Sequence, residues 1–242
     1  MNEKELLARI EALEKQVKRQ QYAVDAVEIQ NVMSRYIFNL ENELIAEVWD
    51  DLFTHEDPDV SMEIMDAGGY IGAEHVKRAY YTMARKVDKE GNPAPKEAAG
   101  MSNTNTDRAA LLLMLTISTP MIEVSEDGKH AWGQWHLFGP HTNRVFDPEI
   151  GAKRDRAFWI AGKYDNEFIK DSDGQWRFKR LRAINWLRTP YEKSWLECAD
   201  CRSTPSPYYP VDTPRRITSF NPDGGTDPDR WGPRPHEHIV HE

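Results

Sequence analysis

The period of the apolar residues changes once along this 242-residue chain, and that change limits the folds open to it. Up to about residue 85 they recur at three or four positions, with one short alternating stretch, Val60 to Ile64. From Ala109 onward they alternate or run together, with Gly-containing turns between. Helices therefore come first and strands follow. The order predicts an α+β fold with a mostly antiparallel, curved sheet.

In chain order, Leu6, Ile10, Leu13 and Val17 predict a helix over Glu3 to Arg19. About two heptads are too few for a coiled coil, so the expectation is an amphipathic arm that packs on its own domain or on a second copy of the chain, and the narrow stripe favours the second copy. A second helix is expected from Ala23 to Glu41 and a third from Glu43 to Phe53, with Leu44, Val48 and Leu52 on one face. Val60, Met62 and Ile64 point inward from a strand, and Ala67 to Gly69 turns. Ala73 to Arg85 reads as a helix with Val76, Ala79, Tyr80 and Met83 on its apolar side. Val87 to Thr106 is a long polar loop, suited to a lid. Then come a strand over Ala109 to Ser125 broken at Pro120, a hairpin at Asp127-Gly128 and a return strand, Ala131 to Phe138. A loop is expected over Gly139 to Arg156, strands over Ala157 to Lys170 and Trp176 to Trp186, and a hairpin at Asp171 to Gly174 between them. The division is an arm at 1–22, a domain at 23–195 and a Pro-rich arm at 196–242.

Forty acidic against thirty-one basic side chains argue against a broad nucleic-acid surface. No run reaches the roughly 18 apolar residues of a membrane span. The charged start of the chain lacks the apolar core of a signal peptide, so the expectation is a soluble, cytoplasmic protein. Two cysteines, Cys198 and Cys201, make no disulfide framework and too few ligands for zinc. No metal and no cofactor is expected. Eight tryptophans suit an aromatic-lined cavity or a large interface.

One helical stretch combines packing with chemistry. In MSRYIFNLE, Val32, Tyr36 and Leu40 share a face with Met33 and Ile37 beside them, and Glu41 leaves about 140° further round. Pattern alone favours a core tyrosine and a solvated glutamate, with a phenol and a carboxylate at a site as the other reading. His136 faces the interior only if Trp132 and Gln134 do, and lies outside if Ala131, Gly133 and Trp135 do. On the last strand, Lys179, Leu181 and Asn185 share one face and Trp176, Phe178, Arg180 and Arg182 the other. Neither choice is settled by pattern.

Five segments in order resemble the SnoaL-like branch of the nuclear-transport-factor-2-like superfamily. They are MSRYIFNLE, VWDDLF, GYIGAEHVKRAYY, TPMIEVSEDGKHAWGQW and Gly162 to Trp195. The resemblance implies a cone-shaped α+β barrel, a bent sheet wrapped around helices and enclosing a pocket. It hosts dehydratases, cyclases, isomerases and lyases, mostly without metal or cofactor, and also binding domains. It implies oxyanion-donor roles for Tyr36, Tyr80 and Asn166, and a Tyr36–Glu41 pair like the Tyr…Asp pair of its dehydratases. Register taken from its isomerases further implies a pocket position for Lys179, whereas hydrophobicity favours the other face of that strand. Two positions depart from the family. Ile64 stands where isomerases have their base, and Leu115 where dehydratases have their histidine.

Long SnoaL-like chains with terminal arms resemble the diarylpropane lyases of bacterial lignin catabolism, which release formaldehyde and leave a stilbene. The expected activity is accordingly a cofactor-independent lyase on a hydroxylated aromatic molecule. Tyr36, Glu41, Tyr80 and His136 are the expected catalytic residues, and Asn166, Tyr164, Lys179 and Arg182 the expected substrate contacts. A dehydratase or isomerase of a polycyclic ketone, and a non-catalytic binding or assembly domain, are the alternatives. Homo-oligomerisation is expected through the arms and the sheet face.

Overall fold

The computed structural model describes residues 2–64, 69–84, 112–147 and 151–196. The expected loop at 87–106, residues 67–68 of the expected turn and the arm from 197 on, with Cys198 and Cys201, fall outside them.

The two expected N-terminal helices are one helix, α1, Glu3–Glu41. Nothing from Gln20 to Tyr22 breaks a helix, and Gln21 Nε2 bonds Asp25 Oδ1 at 3.2 Å across the expected gap. Asn2 starts it with a reciprocal capping box to Glu5. Glu43, at φ 62°, turns the chain into α2, Ile45–Leu52. Strands β1, Ser61–Ile64, and β2, Gly69–Ile71, lead to α3, Ala73–Met83. The sheet continues with β3, Thr116–Val124, β4, His130–Asp147, β5, Ala152–Lys170, and β6, Trp176–Pro190. Six strands lie in the order β2-β1-β6-β5-β4-β3. All pairings are antiparallel except β1 with β6. The α+β expectation holds: helices precede a bent sheet with two free edges.

The largest departure is the loop expected over Gly139 to Arg156. Those residues are the outer arms of a long β4–β5 hairpin, paired from His130↔Ile169 to Asp147↔Ala152. Pro140 and Gly139 read as breakers, but neither needs to break this ladder. The Pro140 carbonyl accepts from Met114 N–H at 3.2 Å, and Gly139 is required by crowding. A Cβ there would meet the Met114 carbonyl oxygen at 1.8 Å. The break expected at Pro120 is a register shift between Ser118 and Met121, with Thr119 at φ 49°. Both predicted tight turns are present, with Gly128 and Gly174 at φ 68° and 80°.

The core lies between α1, α2, α3 and the concave face of the sheet. Phe178, Phe53, Phe168, Met33 and Ile29 are fully or almost fully buried there. Phe178 meets Tyr36, Phe53 and Phe168 at centroid distances of 5.7, 5.4 and 5.0 Å. Asp25 ties α1 to the sheet, accepting from Trp176 Nε1 at 2.9 Å and pairing with Lys170 Nζ at 2.5 Å. Those bonds and the one from Gln21 outweigh the cost of burying it, so its carboxyl sits below the usual range. Among the described residues no helix is long and apolar enough to cross a membrane.

Candidate active site

The Tyr36 phenol projects from α1 into the core because Ile29, Val32, Met33 and Ile37 set that face of the helix inward. Its ring meets that of Tyr164 edge-on at 5.7 Å. Tyr80 arrives from α3, packed on Phe53 at 5.5 Å, and Tyr164 from β5, level with Trp135 on β4. Three elements thus bring three buried phenols together. The Tyr36 hydroxyl interacts with those of Tyr164 and Tyr80. The Tyr80 Oη is buried, and among the described residues no group meets it at hydrogen-bond geometry.

Burial pushes all three phenols above their ordinary pKa. For Tyr36 the two neighbouring hydroxyls oppose the rise; for Tyr80 and Tyr164 an ionised Tyr36 would add to it. All three therefore stay protonated at neutral pH. Such a cluster donates hydrogen bonds to an oxygen that gains negative charge; it does not remove protons.

Glu41 closes α1, and its Oε1 accepts from the Leu115 N–H at 2.9 Å. Leu115 therefore offers a backbone donor to this carboxylate. Leu115 follows Met114, which approaches Gly139, and Gly139 lies four residues along β4 from Trp135. Along α1 itself Glu41 lies five residues, about 7.5 Å of helix axis, beyond Tyr36.

The two face questions are answered by register. Trp135 pairs with Tyr164 and Gly133 with Asn166 on the concave face, which puts Trp132, Gln134 and His136 on the convex one. His136 is exposed there, bonded through Nδ1 to Thr119 Oγ1 at 2.6 Å and edge-on to Trp186 at 5.3 Å. It does not join the tyrosines. On β6 neither expected alternation survives. Phe168 pairs with Phe178 but Glu167 with Arg180, so Lys179 is the extra residue of a bulge. Phe178 faces inward before it and Leu181 and Ala183 after it, while Arg180 and Arg182 face out.

The expected substrate contacts fare differently. Tyr164 belongs to the cluster. Asn166 is buried on the same face, but its Oδ1 accepts from Arg182 N–H at 2.9 Å and its Nδ2 meets Met33 Sδ at 3.3 Å. That amide fills the ladder opened by the bulge. Lys179 pairs with Asp57 at 3.0 Å. Arg182 is buried on the convex face between Glu63, at 3.1 Å, and Asp165, at 3.7 Å.

His141 is the residue that sequence reasoning missed, because it sat in a stretch read as loop. It is 7 % exposed on β4, level with Phe158, and its Nδ1 has no hydrogen-bond partner among the described residues. Burial, helped by the Arg188 charge, lowers its pKa to about 4, so it is neutral at pH 7. Even spacing from Trp135 through Leu137 and Gly139 puts it on the concave face, and only knowledge that β4 continues reveals this. Among the described residues no three His, Cys, Asp or Glu side chains are placed to hold a metal.

A family model for the SnoaL-like domain matches residues 21–182. The chain belongs to the SnoaL-like domain family. No curated protein matches it. Solved structures with a similar course include a scytalone dehydratase-like protein from Novosphingobium aromaticivorans, 18 % identical, covering 76 % of this chain and 95 % of that one, with a TM-score of 0.47. Hexachlorocyclohexane dehydrochlorinase LinA-type3 from Novosphingobium barchaimii is 14 % identical over 74 % and 96 % of the two chains, TM-score 0.47. A nuclear-transport-factor-2-like protein from Salmonella enterica is 15 % identical over 71 % and 98 %, TM-score 0.41. At these identities the likeness concerns the fold alone. The matched segment ends inside β6, so the first 18 residues of α1, Glu3 to Gln20, and everything after Arg182 lie outside it.

Proposed function

We propose that this SnoaL-like protein is a cofactor-independent lyase, and that it cleaves a lignin-derived diarylpropane-1,3-diol to a stilbene with release of formaldehyde. The observation that carries the reading is the buried trio Tyr36, Tyr80 and Tyr164, protonated at neutral pH, with the Tyr80 oxygen unsatisfied among the described residues. Such donors suit a reaction in which a hydroxyl departs. In the proposed sequence the substrate's para-phenol loses its proton and the benzylic hydroxyl leaves, protonated from Tyr36, as water. The product is a quinone methide. Glu41 then takes the proton of the terminal CH₂OH. The carbon–carbon bond breaks, formaldehyde departs, and the bonding pair restores the aromatic phenolate; the phenolate regains its proton from water, and the proton held by Glu41 returns to the Tyr36 phenolate. Diol becomes stilbene, formaldehyde and water.

Tyr80 and Tyr164 orient Tyr36 and share the charge it takes up. His141, neutral and on the same face, accepts a hydrogen bond from a substrate hydroxyl. His136, Lys179 and Arg182 take no part in this reading, because they serve the convex face or the bulge. The few cysteines of the chain support action in the cytoplasm, and its exposed N-terminal stripe supports a homo-oligomer.

The test is formaldehyde release and stilbene absorbance on diarylpropane-1,3-diols. Tyr36→Phe should lower turnover by about 10²-fold, and Glu41→Gln should do likewise, both with unchanged circular dichroism. His136→Ala, in contrast, should leave turnover unchanged. Neither formaldehyde nor an absorbance change from the wild type would sink the reading.

A further inference from the structure

Helix α1 carries two apolar stripes, and the domain uses only one of them. Asp25, Ile29, Val32, Met33, Tyr36 and Ile37 are buried against the domain, and the Tyr22 hydroxyl reaches the Ile122 carbonyl of β3 at 2.8 Å. The other stripe is Leu6, Ile10, Leu13, Val17, Val24 and Val27, each between 42 % and 61 % exposed. Its spacing is four, three, four, seven and three, with Gln20 at the step that divides the seven. That is a 3.5-residue repeat held for three heptads, and the unbroken course of α1 makes it one continuous seam.

The repeat also fits the domain's use of the helix. With Ile10, Val17 and Val24 at the first core position and Leu6, Leu13 and Val27 at the second, the buried residues Asp25, Ile29, Val32, Met33 and Tyr36 all fall on the opposite side. The seam is therefore free to meet another helix while the domain stays in place. β-Branched residues at every first position and leucine at the first two second positions, Leu6 and Leu13, follow the choice that favours two parallel strands. Charge agrees. Arg9 and Glu14 occupy the flanking positions that face each other across a parallel, in-register pair, so two copies would make this match twice. Gln16 and Gln21 occupy the next such pair. A solvated helical extension of about 20 residues is marginal by itself, so a partner along this stripe supplies what α1 otherwise lacks.

We propose that a second copy of this chain packs on the Leu6–Val27 seam, parallel and in register, as a two-stranded coiled coil. This gives the homo-oligomer proposed above its geometry, and it stands whether or not the lyase reading does.

The test uses the full chain with Cys198 and Cys201 replaced by serine. Leu13→Cys should oxidise to a covalent dimer roughly tenfold faster than Lys15→Cys, which points away from the seam. Equal rates at the two positions, or no dimer at position 13, would overturn the proposal. In a mixture of Leu6→Cys and Val27→Cys chains, self-linked Leu6→Cys dimers are expected. A product joining position 6 to position 27 would instead mean an antiparallel pair and overturn it. Covalent trimers captured by a bifunctional thiol reagent at position 13 would overturn the two-stranded form. None of these readings depends on activity, so failure of the seam and failure of the lyase reading are separable.

Discussion

The two faces of the β4–β5–β6 sheet are made by alternate residues of the same strands, yet they are stabilised differently. The concave face stacks aromatic rings, with Phe178 touching Tyr36, Phe53 and Phe168. The convex face pairs charges: Arg182 with Glu63 and Asp165, and Arg180 with Glu167 at 2.7 Å. Both contain fully buried groups, Phe178 on one and Asp165 on the other. The difference teaches where chemistry fits. Charges on the convex face are neutralised by their neighbours, whereas the concave face holds uncharged phenols beside an unsatisfied oxygen. The second environment is the one that strengthens a hydrogen bond to developing charge.

Three substitutions test that contrast. Phe178→Ala removes the ring shared by three aromatic contacts, and should cost about 3–5 kcal/mol; urea denaturation would measure it. A loss under 1 kcal/mol would mean that the aromatic face is not the main support. Asp165→Ala leaves Trp132 Nε1, now bonded at 2.6 Å, and the Arg182 guanidinium without this acceptor. It should cost about 3 kcal/mol and leave turnover on the proposed diol within twofold of wild type. A selective loss of turnover would place function on the convex face.

Asp25→Asn should cost about 1.5 kcal/mol at pH 7. The folded carboxyl lies below its unfolded value of 3.8, so its contribution is present above that pH. It fades as the pH falls through the folded pKa. The gap between wild type and Asp25→Asn should therefore close on acidification, and a gap that persisted or widened would contradict the ion pair with Lys170.

Sequence reasoning reached the helices-then-sheet order, both tight turns and the inward face of α1, because each rests on local spacing or on a glycine at positive φ. Tyr36 and Tyr80 were legible for the same reason: each lies on an apolar helical stripe. The faces of β4 and β6 were not legible. A single extra residue at Lys179 reverses the alternation, and only pairing with β5 reveals it. His141 was hidden by Gly139 and Pro140, which read as a loop until the hairpin accounts for both.

What this sequence determined by itself is the helices-then-sheet order and most of the elements, since periodicity and turn chemistry act within about ten residues along the chain, while the family resemblance rests on five segments in order. Which side chains share a site was decided only by tertiary structure. Tyr36, Tyr80 and Tyr164 come from three distant segments, and their meeting depends on strand register and on how α1 and α3 lie across the concave face.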